Sequence, residues 1–405
     1  MPFELQRVTD DNFDDWARAI ERGFLAELED EDLPGWRSVL QPRDRFIGMQ
    51  DDDGRWIATA GAFPYQMAVP GGDRVGCAGV TVITVRSDHR RQGLLTTMMG
   101  TLLDDARQAG EPFAALLASE GGIYGRYGYG PSAPSVDFEV DSRHAAPASM
   151  GRADRVQLVD RERARAEFPA IYDAMVDRHP GTMSLSDGWW DGFINEDTSA
   201  DRGGASKRWH ALIPRKGFAI YRTKNDWEGR VPNGKLKVSL IASTDPETYA
   251  DLVAFLASVD LVTTISFRHR PTDDPLPLLL ADESQVRDRS SMPLWLRLLD
   301  LPVALTSRAY DVADRLVLEV VDRTLPDNQG TWLLDASPEA SSCERTDAAA
   351  DLRMDVSVLG SVFLGGYRPT TLHAAGRIDE PTPGAVQRLG KIMRTDVAPW
   401  CAVDF

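Results

Sequence analysis

One stretch constrains this chain more than any other: the apolar run Val75 to Arg86, the basic loop after it, and the apolar stripe that starts at Leu94. Leu94-Leu95, Met98-Met99, Leu102-Leu103 and Ala106 recur at i, i+3/i+4 and i+7/i+8. That spacing predicts one amphipathic helix of about four turns, with Gly110 at the expected C-cap. The preceding run is apolar enough for a strand inside a sheet, and Phe113 to Ala118 reads as a short buried strand running into Ser119-Glu120-Gly121-Gly122. The order is strand, basic loop, helix, strand, glycine-rich turn.

The rest of the N-terminal region reads in the same alphabet. Phe13, Trp16, Ala17, Ile20 and Phe24 share a helical face, Arg55 to Phe63 reads as a strand, and Gly71-Gly72-Asp73 as a turn. Asp141 to Asp154 has the composition of a linker. Beyond it come a helix (Arg163 to Arg178), strands near Trp209–Ile213, Phe218–Arg222 and Lys235–Ala242, a helix after Asp245-Pro246, and a strand at Leu261–Phe267. After Pro271–Pro277 the pattern changes again. Strands are expected at Arg315–Val321, Gly330–Leu334 and Arg353–Val358, and helices around Pro302–Arg308 and Thr382–Arg394. At 405 residues the chain has room for two or three domains, and the reading divides it at 1–145, 146–285 and 286–405, an α+β protein throughout.

Charge and cysteine content narrow the function classes. The formal net charge of -17 at pH 7 opposes general binding to nucleic acid or anionic membranes and suits cationic ligands. Cys77, Cys343 and Cys401 are too scattered for a disulfide framework or a CxxC site. The start has neither the basic nor the apolar region of a signal peptide, and no later stretch is apolar for ~18 residues, so cytoplasm is the expected location. The six histidines show no metal-ligand spacing, and neither GxSxG nor GxGxxG occurs, which weakens the hydrolase and simple dinucleotide readings and leaves no expected metal.

A strand feeding a basic, glycine-containing loop at a helix start presents free N–H groups to an anion. Arg90 and Arg91 add charge-assisted bonds, and Gly93 lets the backbone come close. Taken alone, the loop is open to a phosphate-binding and to a solvated-turn reading. Tyr124, Tyr127 and Tyr129 each offer a proton donor beside it. The acidic run Glu27, Glu29, Asp30, Glu31 and Asp32, followed by Trp36, reads either as a polycation site or as a solvated loop. Trp189-Trp190 either lines a cavity or fills a core.

Arg90-Arg91-Gln92-Gly93-Leu94-Leu95 resembles the pyrophosphate loop of the GNAT acetyltransferases, Arg/Gln-x-x-Gly-x-Gly/Ala, with Leu95 departing at the last position. Together with Ser119 to Gly130, the chain length and the ending Asp404-Phe405, the whole resembles the enhanced intracellular survival family of acetyltransferases. That resemblance implies a catalytic GNAT domain, a second, degenerate GNAT domain and a sterol-carrier-protein-like domain. It implies an acetyl-CoA-dependent N-acetyltransferase acting on primary amines of a cationic small molecule, aminoglycosides above all, with polyamines, cationic peptides or protein lysines as other acceptors. Ile83, Thr84 and Val85 would meet the pantetheine and thioester, and Arg91, Gln92, Gly93, Leu94, Leu95 and Thr96 the pyrophosphate. Ser119 and Glu120 would also touch the donor. Tyr124 would be the general acid, the carboxylate of Phe405 the base, and Asp404 part of the acceptor site, which Glu27 and Trp36 join on the polycation reading of the acidic run. The family resemblance further implies hexamers of two trimers. A protein that merely binds CoA or an apolar ligand is the reading outside catalysis.

Overall fold

The computed structural model describes residues 3–143, 151–195 and 202–405. It begins with β1 (Leu5–Arg7), α1 (Phe13–Gly23), α2 (Leu33–Val39), β2 (Phe46–Gln50), β3 (Trp56–Ala68) and β4 (Arg74–Val85). Then follow α3 (Leu94–Gln108), β5 (Phe113–Leu117), the single turn α4 (Gly121–Tyr124), β6 (Gly130–Ala133) and β7 (Ser135–Asp141). The apolar stripe of α3 is the buried one: Leu94, Met98, Met99, Leu102, Leu103 and Ala106 pack on the sheet. Each of its long side chains contributes about 1.5–3 kcal/mol on leaving water.

The middle of the chain supplies β8 (Gln157–Val159), α5 (Arg161–Val176), α6 (Asp187–Asn195), β9 (Trp209–Ile213), β10 (Gly217–Lys224) and the hairpin β11 (Trp227–Glu228) and β12 (Val231–Pro232). It continues through β13 (Gly234–Ser243), α7 (Pro246–Ala257), β14 (Val262–Pro271) and β15 (Val286–Ser290). The last part runs from β16 (Leu294–Leu298) through α8 (Leu301–Thr306), β17 (Asp314–Val321), β18 (Gly330–Ala336), β19 (Ser342–Arg345) and β20 (Leu352–Asp355). It closes with α9 (Val356–Phe363), α10 (Pro369–Ala374), β21 (Ile378–Asp379) and α11 (Ala385–Ile392).

Three large sheets result. The first has the order β1-β2-β3-β4-β5-β16-β6, the second β15-β7-β14-β13-β10-β9-β8, and the third β19-β18-β17-β20-β21. Two strands sit on the far side of the expected domain boundaries. β7, inside 1–145, pairs with β14 and β15 of the second sheet, and β16, inside 286–405, is inserted antiparallel between β5 and β6 of the first. The physical reason is non-local edge pairing: each strand fills an open edge of the neighbouring sheet, which the local sequence pattern cannot express. The third region is likewise no separate body, since one hydrophobic core runs from Phe13 and Trp16 through Leu296 to Leu316 and Leu389.

Three local expectations change. Phe24 falls outside α1 and is 54% exposed, because the helix ends at Gly23, where a Cβ would lie 2.5 Å from the Thr84 side chain. The strand expected through Val358 stops at Asp355, whose carboxylate accepts the Ser357 N–H at 2.9 Å and starts α9. The expected linker is strand at its start, as Asp141 closes β7, and its residues 144–150 lie outside the described ones. All three cysteines are buried and free, and among the described residues no helix is long and apolar enough to cross a membrane.

Candidate active site

The loop after β4 is built to leave a helix end open. Arg86 is tied down by Asp51 at 3.1 Å and Asp88 at 2.8 Å, so the chain leaves the sheet on a fixed path. Arg91 (φ 62°) and Gly93 (φ 82°) then turn the backbone through left-handed conformations, and Gly93 is the N-cap of α3 with no side chain capping the first turn. A Cβ on Gly93 would meet nothing within 4 Å. Arg91, Gln92, Gly93 and Thr96 are exposed, while Leu94 is buried as the anchor and Leu95 packs half-buried on the core beneath. The first-turn amides and the positive end of the helix dipole are thus available to an anion.

Beside this loop the first sheet forks. β4 and β5 pair in parallel only at Cys77–Gly79 and Phe113–Ala115, although β4 runs on to Val85 and β5 to Leu117. On its other edge β4 bulges. Val82 and Ile83 together oppose Ala60, Val82 has φ 48°, and the Thr59 hydroxyl donates to the Val82 carbonyl at 2.8 Å. A bulge leaves one residue out of the ladder and re-aims its backbone. A cavity of 260 Å³ occupies the fork, lined by Val82, Ile83, Ser119, Tyr124 and, from the far end of the chain, Asp404 and Phe405.

The three tyrosines are separated by their hydrogen bonds. The Tyr127 hydroxyl lies 3.1 Å from Thr96 Oγ1 and that of Tyr129 donates to Met99 Sδ at 3.7 Å, so both are engaged inside the domain. Tyr124, 8% exposed, lines the fork cavity instead. Burial, and then the negative charge of Glu120, raise its pKa above the ordinary phenol value, which keeps the hydroxyl protonated at neutral pH.

A second cavity, of 520 Å³, shares Thr81, Val82, Asp404 and Phe405 with the first. Its wall carries Glu21, Glu27, Asp32 and Asp404 beside Trp36 of α2 and Trp189 of α6. The acidic run therefore divides: Glu27 and Asp32 face this cavity, whereas Asp30 is engaged by Arg18 at 2.7 Å. Trp189 lines the cavity and Trp190 fills the core of the second domain. Burial works to raise the Asp404 carboxyl, yet the hydrogen bond and charge of His269, with Arg268 nearby, hold it below the usual range.

The structure brings Ile83, Ser119, Tyr124, Phe405, Asp404, Glu27 and Trp36 to these joined cavities, with the loop Arg91–Thr96 opening α3 alongside. It does not bring Thr84 and Val85 there. The Thr84 hydroxyl is buried 2.7 Å from that of Thr59, and Val85, opposite Ala58, lines a separate cavity with Arg18, Arg22 and Arg90. Glu120 is exposed at the edge of the glycine-rich turn. Sequence reasoning missed Thr81 and Val82, where the two cavities meet. No signal marks a bulge at a β-branched residue in an apolar run.

Family models match the chain in order: a GNAT acetyltransferase domain over residues 4–132, another over 181–298, and a sterol carrier protein domain over 301–402. An uncharacterized N-acetyltransferase of Streptomyces coelicolor is 36% identical over 418 residues, covering 100% of both proteins. The N-acetyltransferase Eis of Mycobacterium bovis is 32% identical over 417 residues, again 100% of both. This chain belongs to the Eis family of GNAT N-acetyltransferases. The crystal structure of Eis1 from Mycobacterium abscessus superposes with a TM-score of 0.86 at 29% identity, covering 99% of this chain and 100% of that one. A GCN5-related N-acetyltransferase from Anabaena variabilis shares the fold at TM-score 0.83 and 18% identity. The chemistry of this Eis-family enzyme is acetyl-CoA-dependent N-acetylation.

The two GNAT domains of the Eis-type chain differ at the same place. β13 and β14 also pair in parallel, over Gly234–Val238 and Val262–Phe267, and also run on beyond the pairing. Here the gap is filled. Arg270 reaches the Ile241 carbonyl at 3.4 Å and the Asp274 carboxylate at 2.7 Å, and the Tyr249 hydroxyl donates to Asp274 at 2.8 Å. The helix that follows β13 is closed as well, since Asp245 caps α7 by accepting the Thr248 N–H at 2.8 Å.

Proposed function

We propose that this enzyme transfers acetyl groups from acetyl-CoA to primary amines of a polycationic small molecule, aminoglycosides being the best-matched class. The observation that carries this reading is the junction of the two cavities at Thr81, Val82 and Phe405, one in the sheet fork and one walled by acids. Arg91 to Thr96 hold the diphosphate at the open end of α3, with Ile83, Ser119 and Glu120 along the donor. Acids spaced around 520 Å³ with two tryptophans suit an acceptor that carries several ammonium groups on an apolar frame.

The chemistry follows from the residues at the junction. An ammonium group must lose a proton before its nitrogen can attack the thioester carbonyl carbon. The Phe405 carboxylate takes that proton and Asp404 holds the neighbouring cation. A backbone N–H turned out of the ladder at the Val82 bulge donates to the oxyanion. As the C–S bond breaks, Tyr124 supplies the proton that the departing thiolate takes up, and the second proton that the nitrogen sheds on becoming an amide restores the Tyr124 phenol. The hexamer of two trimers implied by the family resemblance belongs to the same reading, and light scattering of the purified protein tests it.

A thiol-release assay with acetyl-CoA and a panel of amines tests the substrate class. Several thiols released per aminoglycoside molecule is the expected result. Turnover confined to polyamines or lysine peptides would move the acceptor class, and no turnover with any amine would leave a CoA-binding protein. Comparing enzyme tagged at Met1 with enzyme extended beyond Phe405 tests the base, because extension converts the carboxylate to an amide. Equal turnover of the two would remove Phe405 from the mechanism.

A further inference from the structure

The segment that ends at Phe405 closes the sterol carrier protein domain, but its polar anchors lie in the second GNAT domain. The Trp400 N–H donates to the Pro180 carbonyl at 2.8 Å, and the Thr182 hydroxyl donates to the Trp400 carbonyl at 3.0 Å. The Ala398 N–H donates to Asp273 at 2.7 Å, the Trp400 indole N–H donates to the His269 carbonyl, and the Arg270 guanidinium lies 4.6 Å from the Trp400 ring. Trp400 thus docks on the arginine that fills the second fork. Among the described residues, the polar side-chain tie to the last two is from His269, whose Nε2 lies 3.0 Å from Asp404 Oδ1. Otherwise Phe405 rests its ring on Tyr65, 5.1 Å between centroids.

His269 is itself held rigidly. Arg268 and His269 form a bulge in β14, two residues opposite Asp137, and His269 sits there at φ 49° with its N–H donating to Asp137 at 3.0 Å. Its Nδ1 lies 3.2 Å from the Ser291 hydroxyl. A carboxylate only accepts, so the Asp404 contact requires a proton on Nε2. Arg268, 3.2 Å from Nε2, supplies charge beside Asp404 rather than a hydrogen bond to that nitrogen. A buried ring fixed on one side by a bulge and a hydroxyl, and aimed on the other at the residue before Phe405, is a clamp on the position of the chain end.

We propose that His269 is the positioning residue for the Phe405 carboxylate, and that holding the reaction's proton acceptor is the task of the second GNAT domain. The inference rests on the reading of Phe405 as base. His269→Ala is expected to lower kcat ~10–100-fold, the scale on which small displacements of a reacting group act. Acetyl-CoA affinity by calorimetry and melting temperature should stay near wild type. His269→Gln, whose amide N–H can still donate to Asp404, is expected to recover most of the turnover, and it carries the test where the alanine variant fails to fold. In enzyme lacking Phe405, His269→Ala should cost nothing further in residual turnover. Wild-type kcat in His269→Ala, a glutamine variant no better than alanine, or the same fold loss without Phe405 would each overturn the inference. Undiminished turnover after deletion of Phe405 alone would instead overturn the reading beneath it.

Discussion

The two GNAT domains teach by contrast what makes a fork in a sheet a site. In both, parallel strands part after a short pairing and a helix follows the first of them. In the first domain the helix starts on an uncapped glycine and the gap holds a cavity that ends at Tyr124 and Phe405. In the second the helix starts on a carboxylate and the gap holds a buried arginine, carboxylate and tyrosine. An acidic cap repels the diphosphate that an uncapped helix start attracts. On the proposed reading, the same frame serves chemistry in one copy and anchorage in the other.

The largest effect should come from the open fork. Tyr124→Phe is expected to lower kcat by ~10²–10⁴ with acetyl-CoA affinity intact, since it deletes a proton donor and little surface. Steady-state rates beside calorimetry check this, and Tyr127→Phe giving that pattern instead would shift the acid to the residue bonded to Thr96. The filled fork should answer in stability. Asp274→Ala leaves the Arg270 guanidinium buried without its carboxylate, a loss of about 3–5 kcal/mol that urea unfolding would read. A stability near wild type would mean that the second fork is not held by its ion pair.

The helix caps offer a finer exchange. Gly93→Asp gives the first domain the cap of the second, in a residue type that tolerates the left-handed backbone. It should weaken acetyl-CoA by ~10-fold or more, as expected when a charge-assisted contact is replaced by repulsion. Unchanged affinity would detach the α3 start from donor binding. The smallest effect is the converse: Asp245→Ala should cost about 1 kcal/mol of stability, by loss of a cap, and leave acetyl-CoA affinity alone. A change in that affinity would show the second helix start to be coupled to the first.

What could be read in advance was what is local. The stripe on α3 and the strands on either side of it follow from periodicity, and the apolar residues Trp400 to Val403 near the end are buried. The separation of Tyr124 from Tyr127 and Tyr129 was not legible, because it depends on Thr96 and Met99 across a turn and a helix. Nor was the Val82 bulge, since a β-branched residue at positive φ contradicts its own propensity and is held by neighbours such as Thr59. Asp355 did carry a signal, an N-cap residue before Val356, but the apolar run to Val358 outweighed it in a strand reading. The exchange of β7 and β16 between sheets has no local trace.

That exchange sets a clock on biosynthesis. The ribosome releases Phe113–Leu117 long before Leu294–Leu298, the strand that closes against it. At ~5–20 residues per second the gap is on the order of ten seconds, a long time for a bare apolar strand edge. The catalytic sheet cannot be completed until most of the second domain has emerged, so a nascent chain stalled or cleaved before Leu294 carries an open edge inviting intermolecular pairing. Fragment 1–145 should be aggregation-prone rather than a minimal enzyme, and chaperone demand should fall on the unfinished first domain while the second is being made.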